Sequence, residues 1–163
     1  MKDITIQIPI CVKTEQELTV VERNLLDEAL RATYRSYSPY SHFSVGAAVE
    51  LEDGTIVAGS NQENAAYPSG LCAERTAVFY ANSRYPELAI RQICIAARDA
   101  NGQFSSCPIS PCGACRQVLL EAEQRAGHSI KMMLYGTQSI YFLSSIKDLL
   151  PLSFDDSFLA LDV

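Results

Sequence analysis

Cys72-Ala73-Glu74-Arg75 and Pro111-Cys112-Gly113-Ala114-Cys115 are the stretches of this chain whose residue types and spacing can do chemistry. Three thiolates can hold one Zn²⁺ and leave the fourth tetrahedral position open, which separates a catalytic zinc from a structural one. Glu74 lies two residues from Cys72 and is not needed to complete the coordination. A carboxylate in that place suits the proton transfers that hydrolysis at a metal requires. Three thiolates against a divalent cation leave excess negative charge, which weakens the metal as a Lewis acid. Arg75, next to Glu74, is placed to hydrogen-bond the thiolates and draw off part of that charge.

These residues must be brought together by the elements around them. Thr14 and Glu17 match a capping box, and Leu18, Val21, Leu25, Ala29 and Ala32 follow at helical spacing, predicting a helix over 15–34. Ser44 to Leu51 alternates apolar and polar residues, Asp53-Gly54 is a tight turn, and Thr55 to Gly59 returns, predicting an antiparallel hairpin. A second helix runs from Cys72 to Arg84, stopping before Pro86. The β-rich stretch Ile90 to Ala97 reads as a central buried strand. A third helix runs from Cys112 to Ala126, with Pro111 suited to its first turn and Gly127 to its stop. Ile130 to Tyr135 and Ile140 to Leu143 form a further antiparallel pair, since the link between them is too short for a helical crossover. Ile4, Ile6, Ile8 and Ile10 alternate at the start and predict a short strand confined to an edge by Pro9. The economical fold is α/β, a three-layer α/β/α sandwich with a mixed five-stranded sheet. The whole chain, 1–163, reads as one domain, with 1–13 as an added N-terminal strand.

In that arrangement a single strand separates the Cys72 helix from the Cys112 helix, so both lie on one side of the sheet with their N-termini together. A helix N-terminus carries unpaired N–H groups and partial positive charge, which favours the thiolate that zinc needs. The bulk properties agree with a small substrate. The net charge is -6, with no cluster of Lys and Arg to neutralise a polyanion, so nucleic acid is not the expected partner. No window approaches a membrane span and the start lacks a signal peptide's apolar run, so the expected location is cytoplasmic. There, six cysteines favour metal or thiol chemistry over disulfides.

Asn61-Gln62-Glu63-Asn64-Ala65-Ala66-Tyr67, Cys72-Ala73-Glu74-Arg75-Thr76-Ala77 and Pro111-Cys112-Gly113-Ala114-Cys115-Arg116-Gln117 together resemble the cytidine deaminase family. Tyr40-Ser41-His42-Phe43-Ser44-Val45-Gly46-Ala47-Ala48 and Leu149-Leu150-Pro151 extend the resemblance over 38–154. Zinc deaminases in general use a non-ligand Glu and a Pro-Cys-x-x-Cys element; Cys72 stands where one form has His, so this chain resembles the small homotetrameric all-cysteine branch. The resemblance implies Zn²⁺ held by Cys72, Cys112 and Cys115, and hydrolytic deamination of cytidine and 2′-deoxycytidine to the uridines with release of ammonia. It implies that Glu74 shuttles the protons, that Asn61 and Glu63 bind the ribose hydroxyls, and that Phe43 packs near the nucleoside. It also implies a homotetramer in which aromatic residues reach neighbouring sites, with Phe154 as candidate. The first dozen residues, and extra length between Arg84 and Ser110, depart from the family pattern.

Plainer readings stand beside these. The within-class alternative is an aminohydrolase of another aminopyrimidine nucleoside. Cys112 and Cys115 alone could be a redox pair, and Cys107 could complete a structural four-cysteine zinc module without catalysis. Cys11 and Cys94 read as small core residues. His42 and His128 read as loop residues, Phe43 equally as a core anchor, and Glu121, Glu123 and Arg125 as a solvated helix face.

Overall fold

The computed structural model describes residues 1–159. Its sheet has six strands, one more than the sequence pattern predicts. The strands are β1 (Cys11–Lys13), β2 (Ser44–Leu51), β3 (Ile56–Ser60), β4 (Ile90–Arg98), β5 (Lys131–Tyr135) and β6 (Ile140–Leu143). They lie in the order β1-β6-β5-β4-β2-β3. Only β4 and β5 pair in parallel, across the crossover made by a helix, while the 2–3, 2–4, 5–6 and 1–6 pairs are antiparallel.

Side-chain alternation along the central strands divides the core in two. Ala47, Val49, Ile93, Ile95, Met132 and Leu134 face helices α2 (Ala73–Arg84) and α3 (Gly113–Ala126). Ala48, Cys94, Ala96, Met133 and Tyr135 face α1 (Val20–Ala32) on the opposite side. The result is the predicted α/β/α sandwich, with α2 and α3 sharing one face of the sheet.

The N-terminal region departs from the sequence reading. Residues 1–10 form no regular strand, and Ile4, Ile6, Ile8 and Ile10 are exposed. Pairing begins only at Cys11, opposite Phe142, because β6 ends one residue later and offers no further partner. Cys11 is therefore exposed rather than a core residue, whereas Cys94 is buried as expected. Helix α1 also starts later than predicted. The Thr14–Glu17 capping box forms, but it closes a single 3₁₀ turn, and a second box, Thr19–Glu22, starts the α-helix.

At the other end of the sheet, the turn after β5 passes close beneath the 105–108 loop. A Cβ at Gly136 would stand 2.6 Å from the Cys107 carbonyl carbon, so only glycine fits there. The Thr137 and Gln138 amides donate to the Ser105 and Ser106 carbonyls and pin the same loop.

Candidate active site

Cys72 and Cys112 are the N-caps of α2 and α3, each just outside the helix that follows. Pro111 thus precedes the cap instead of occupying the first turn. Neither cysteine's side chain caps its helix, so the sulfurs are free to face one another. Cys115 sits in the first turn of α3 and is buried. The three Sγ atoms lie within 4.8 Å of one another, and Cys72 Sγ is 3.8 Å from Cys112 Sγ.

That spacing discriminates between thiol chemistries. A disulfide needs about 2.05 Å, whereas tetrahedral zinc with Zn–S bonds of about 2.3 Å sets sulfurs about 3.8 Å apart. The donor set therefore fits zinc, and Cys72, Cys112 and Cys115 are the residues that would hold it. Cys107 lies outside the cluster among the described residues; its Sγ accepts from the neighbouring Ser106 hydroxyl at 3.9 Å. The fourth position is not filled by cysteine.

Electrostatics at the cluster follow from burial and hydrogen bonding. The Cys72 thiol falls from 9.0 to about 5: the hydrogen bond from Cys115 lowers it most, burial opposes, and Arg75 and Cys112 add further lowering. Cys115 is pushed up by its bond to Cys72 and by burial. Arg75 Nη2 is 3.7 Å from Cys72 Sγ, and this contact raises the guanidinium's own pKa. Glu74 is 5% exposed, and burial followed by the nearby Cys72 charge raises its pKa. A carboxyl with its pKa raised by burial, beside the sulfurs, is suited to take and to return a proton.

A cleft of 510 Å³ opens beside Cys72 and Arg75. Asn61 and Glu63 line it, positioned by Gln62 between them. Gln62 exchanges both backbone hydrogen bonds with Leu71, while Tyr37 donates to Asn61 and accepts from Glu63. This extended stretch ties the end of β3 to the lead-in of α2, and it sends Asn61 and Glu63 to the same side. Glu63 Oε2 accepts from the Tyr40 and Ser41 amides at 2.8 and 3.3 Å. The Ser41 hydroxyl and the Tyr40 amide hold its carboxyl below the usual range. Asn61 is committed more heavily: Oδ1 accepts from Ser36 Oγ and the Val45 amide, and Nδ2 donates to the Phe43 carbonyl.

Phe43 does not line the cleft. It is half-buried and reaches the site only through its carbonyl. Tyr40, Ser41, Asn64, Tyr67 and Leu71 do line it, without a role having been read from sequence. Tyr40 and Tyr67 meet edge-to-face with centroids 5.9 Å apart. The tyrosines clustered before and after the hairpin were the available signal. The predicted solvated face on α3 also needs correction. Glu123 is buried, accepting from the Ile130 and Ile146 amides at 2.8 and 2.9 Å and from Ser145 Oγ at 2.6 Å.

The family model described as the cytidine and deoxycytidylate deaminase zinc-binding region matches residues 20–128. The chain belongs to this deaminase family. A cytidine deaminase of Halalkalibacterium halodurans is 43% identical over 99 residues, covering 60% of this chain and 68% of the relative. One from Sporosarcina psychrophila is 47% identical over 97 residues, covering 60% of this chain and 66% of the relative. The crystal structure of a Burkholderia pseudomallei cytidine deaminase superposes with a TM-score of 0.69 at 36% identity, over 84% of this chain and 100% of that one. The deaminase match contains all three clustered cysteines, Glu74 and the Asn61–Glu63 wall.

Proposed function

We propose that this chain is a single-domain, zinc-dependent cytidine deaminase that hydrolyses cytidine and 2′-deoxycytidine to uridine and 2′-deoxyuridine, releasing ammonia. The observation that carries the reading is the buried Glu74 close to Cys72 and Cys115 of a three-sulfur cluster at zinc spacing, with Cys72 and Arg75 lining a cleft large enough for a nucleoside. A bound Zn²⁺ supplies the Lewis acidity that makes water nucleophilic at neutral pH.

The chain's own groups do the rest. Glu74 accepts a proton from the attacking water and delivers it to the ring nitrogen N3, then takes a second proton from the hydroxyl added at C4 and passes it to the departing amino group. Burial of Glu74 raises its pKa and so favours its proton-carrying form relative to an exposed carboxylate. Arg75 offsets charge on the Cys72 thiolate, which otherwise blunts the metal. Glu63, ionised and with Oε1 outside its two backbone bonds, accepts a ribose hydroxyl. Asn61 offers the remaining Nδ2 hydrogen to the sugar and holds Phe43 and Val45 beside the cleft. Phe43 contributes by keeping that segment packed near the nucleoside.

The reading includes a homotetramer acting in the cytoplasm on a free nucleoside. Exposed Phe79 and Tyr80 on α2, and exposed Phe154 stacked on Phe158, support association of subunits through apolar surface. Sedimentation of the purified chain tests the tetramer.

Ultraviolet absorbance assays with cytidine, deoxycytidine, CMP and adenosine test the reaction. Turnover of the first two is expected. A zinc-loaded protein that turns over neither overturns the reading.

A further inference from the structure

The first turn of a helix is a poor place for a cation, because the partial positive charge of the N-terminus repels it. Arg116 nevertheless sits there, one residue after Cys115. Each of its three guanidinium nitrogens donates: Nε to the Pro111 carbonyl at 2.9 Å, Nη2 to Ser110 Oγ at 3.0 Å, and Nη1 to the Leu149 carbonyl at 2.8 Å.

The Pro111 carbonyl belongs to the peptide unit that carries the Cys112 amide. Fixing its plane fixes the direction in which the Cys112 side chain leaves the backbone. Cys112 is exposed and does not cap α3 with its sulfur; on its far side its carbonyl accepts the Arg116 amide at 3.0 Å, so Arg116 grips the backbone on both sides of Cys112. The third bond runs to a segment 33 residues away, which α3 also grips through Gln117 Nε2 to the Phe154 carbonyl. Leu149 and Leu150 anchor that segment on the core.

We infer that Arg116 is a positioning residue, a three-armed clamp that ties the Ser110–Pro111 turn to the C-terminal segment and thereby aims Cys112 at the metal. The inference rests on the zinc-deaminase reading above, but its main readout uses no nucleoside. Lysine cannot replace this clamp, because a single ammonium on a flexible stem cannot hold three divergent acceptors in one plane.

The experiment compares Arg116→Gln, Arg116→Lys and Ser110→Ala with the unmodified protein in zinc release to a chromogenic chelator, kcat, KM and thermal midpoint. Glu123→Gln serves as the structural control, because it loosens the same helix face far from the sulfurs. Arg116→Gln is expected to release zinc about 10–100-fold faster and to lose kcat by a similar factor with KM little changed. Arg116→Lys should fall between it and the unmodified protein, and Ser110→Ala should show a smaller acceleration. Glu123→Gln should lower the midpoint without changing zinc release.

A lower midpoint with zinc release and kcat both unchanged in Arg116→Gln overturns the inference. Should that variant fail to fold, unchanged release in both Arg116→Lys and Ser110→Ala does the same. Faster zinc release in a protein that does not deaminate cytidine would remove the function and leave the clamp standing.

Discussion

Gly59 lies so close under the first turn of α2 that a Cβ on it would stand 2.5 Å from the Ala77 amide nitrogen. The Ala73 carbonyl oxygen would be 2.8 Å away. Both neighbours are backbone and cannot swing aside. This contact seats the helix that carries Cys72 and Glu74 directly onto β3, the strand that leads into Asn61 and Glu63.

Gly59→Ala should therefore damage stability and the site together. Pushing helix and strand apart costs about 1–3 kcal/mol or more, and the displaced α2 moves Cys72 away from Cys112 and Cys115. The expected outcome is a lower urea midpoint accompanied by zinc below one per chain. A destabilised variant that still holds full zinc would show that the close contact does not set the site.

Glu74→Gln separates catalysis from metal binding. The amide keeps the shape of the side chain and its burial, but it cannot accept and return a proton. Turnover should fall by at least about 10²–10⁴-fold, while metal analysis finds zinc undiminished. Loss of zinc in this variant would instead make Glu74 part of the coordination.

The cysteines and Glu74 were legible because local spacing carries them: each capping cysteine opens a helix, and the intervening strand forces the two helices onto one face. The alternation of Val45, Ala47, Val49 and Leu51 and the apolar run from Ile90 to Ala97 likewise made β2 and the central β4 legible. What sequence could not show depends on partners distant along the chain. Isoleucine alternation at 4–10 describes a face but not a neighbour, and β6 is too short to pair with it. The Thr14–Glu17 box resembles the Thr19–Glu22 box, and only packing decides which one starts α1. Glu123 looks like any helix-surface carboxylate until Ser145 and Ile146 fold over it. Arg116 is hidden for the same reason, its acceptor at Leu149 being set by the C-terminal segment.

Asn61 and Glu63 line the same cleft, yet their substitution should read differently. Asn61 holds Ser36, Phe43 and Val45 together, so Asn61→Ala leaves part-buried partners unsatisfied, at roughly 1–3 kcal/mol. It should lower the thermal midpoint as well as raise KM. The Glu63 carboxylate is held by the exposed Tyr40 and Ser41 amides and the Ser41 hydroxyl. Glu63→Gln should raise KM for cytidine with little change in midpoint. Equal loss of stability in both would deny this division.

Cys107 and Cys115 offer a parallel contrast. Cys107 is exposed and outside the sulfur cluster, whereas Cys115 is buried within it. Cys107→Ser should keep one zinc per chain and normal turnover, and Cys115→Ser should lose both. Treatment of the unmodified protein with a strong chelator should abolish activity and lower the thermal midpoint, since a ligand that binds only the folded chain stabilises it. Zinc loss in Cys107→Ser would restore the four-cysteine structural module as the better reading.

Glu22 links pH to the attachment of β1. Its carboxylate takes the Lys13 ammonium at 3.0 Å and the Thr19 amide at 2.8 Å, joining the edge strand to the start of α1. Burial alone would raise its pKa, but the Thr19 amide and Lys13 outweigh burial and hold it below 4.5. A depressed folded pKa means the contribution is complete above 4.5 and is lost as pH falls through the folded value. Glu22→Gln keeps the amide acceptor for Thr19 and removes the charge. It should therefore lower the thermal midpoint at neutral pH, and the gap from the unmodified protein should close as the solution is acidified below 4.5. Calorimetry across that range checks the sign: a gap that widens toward acid would mean the carboxylate is not stabilised by its partners.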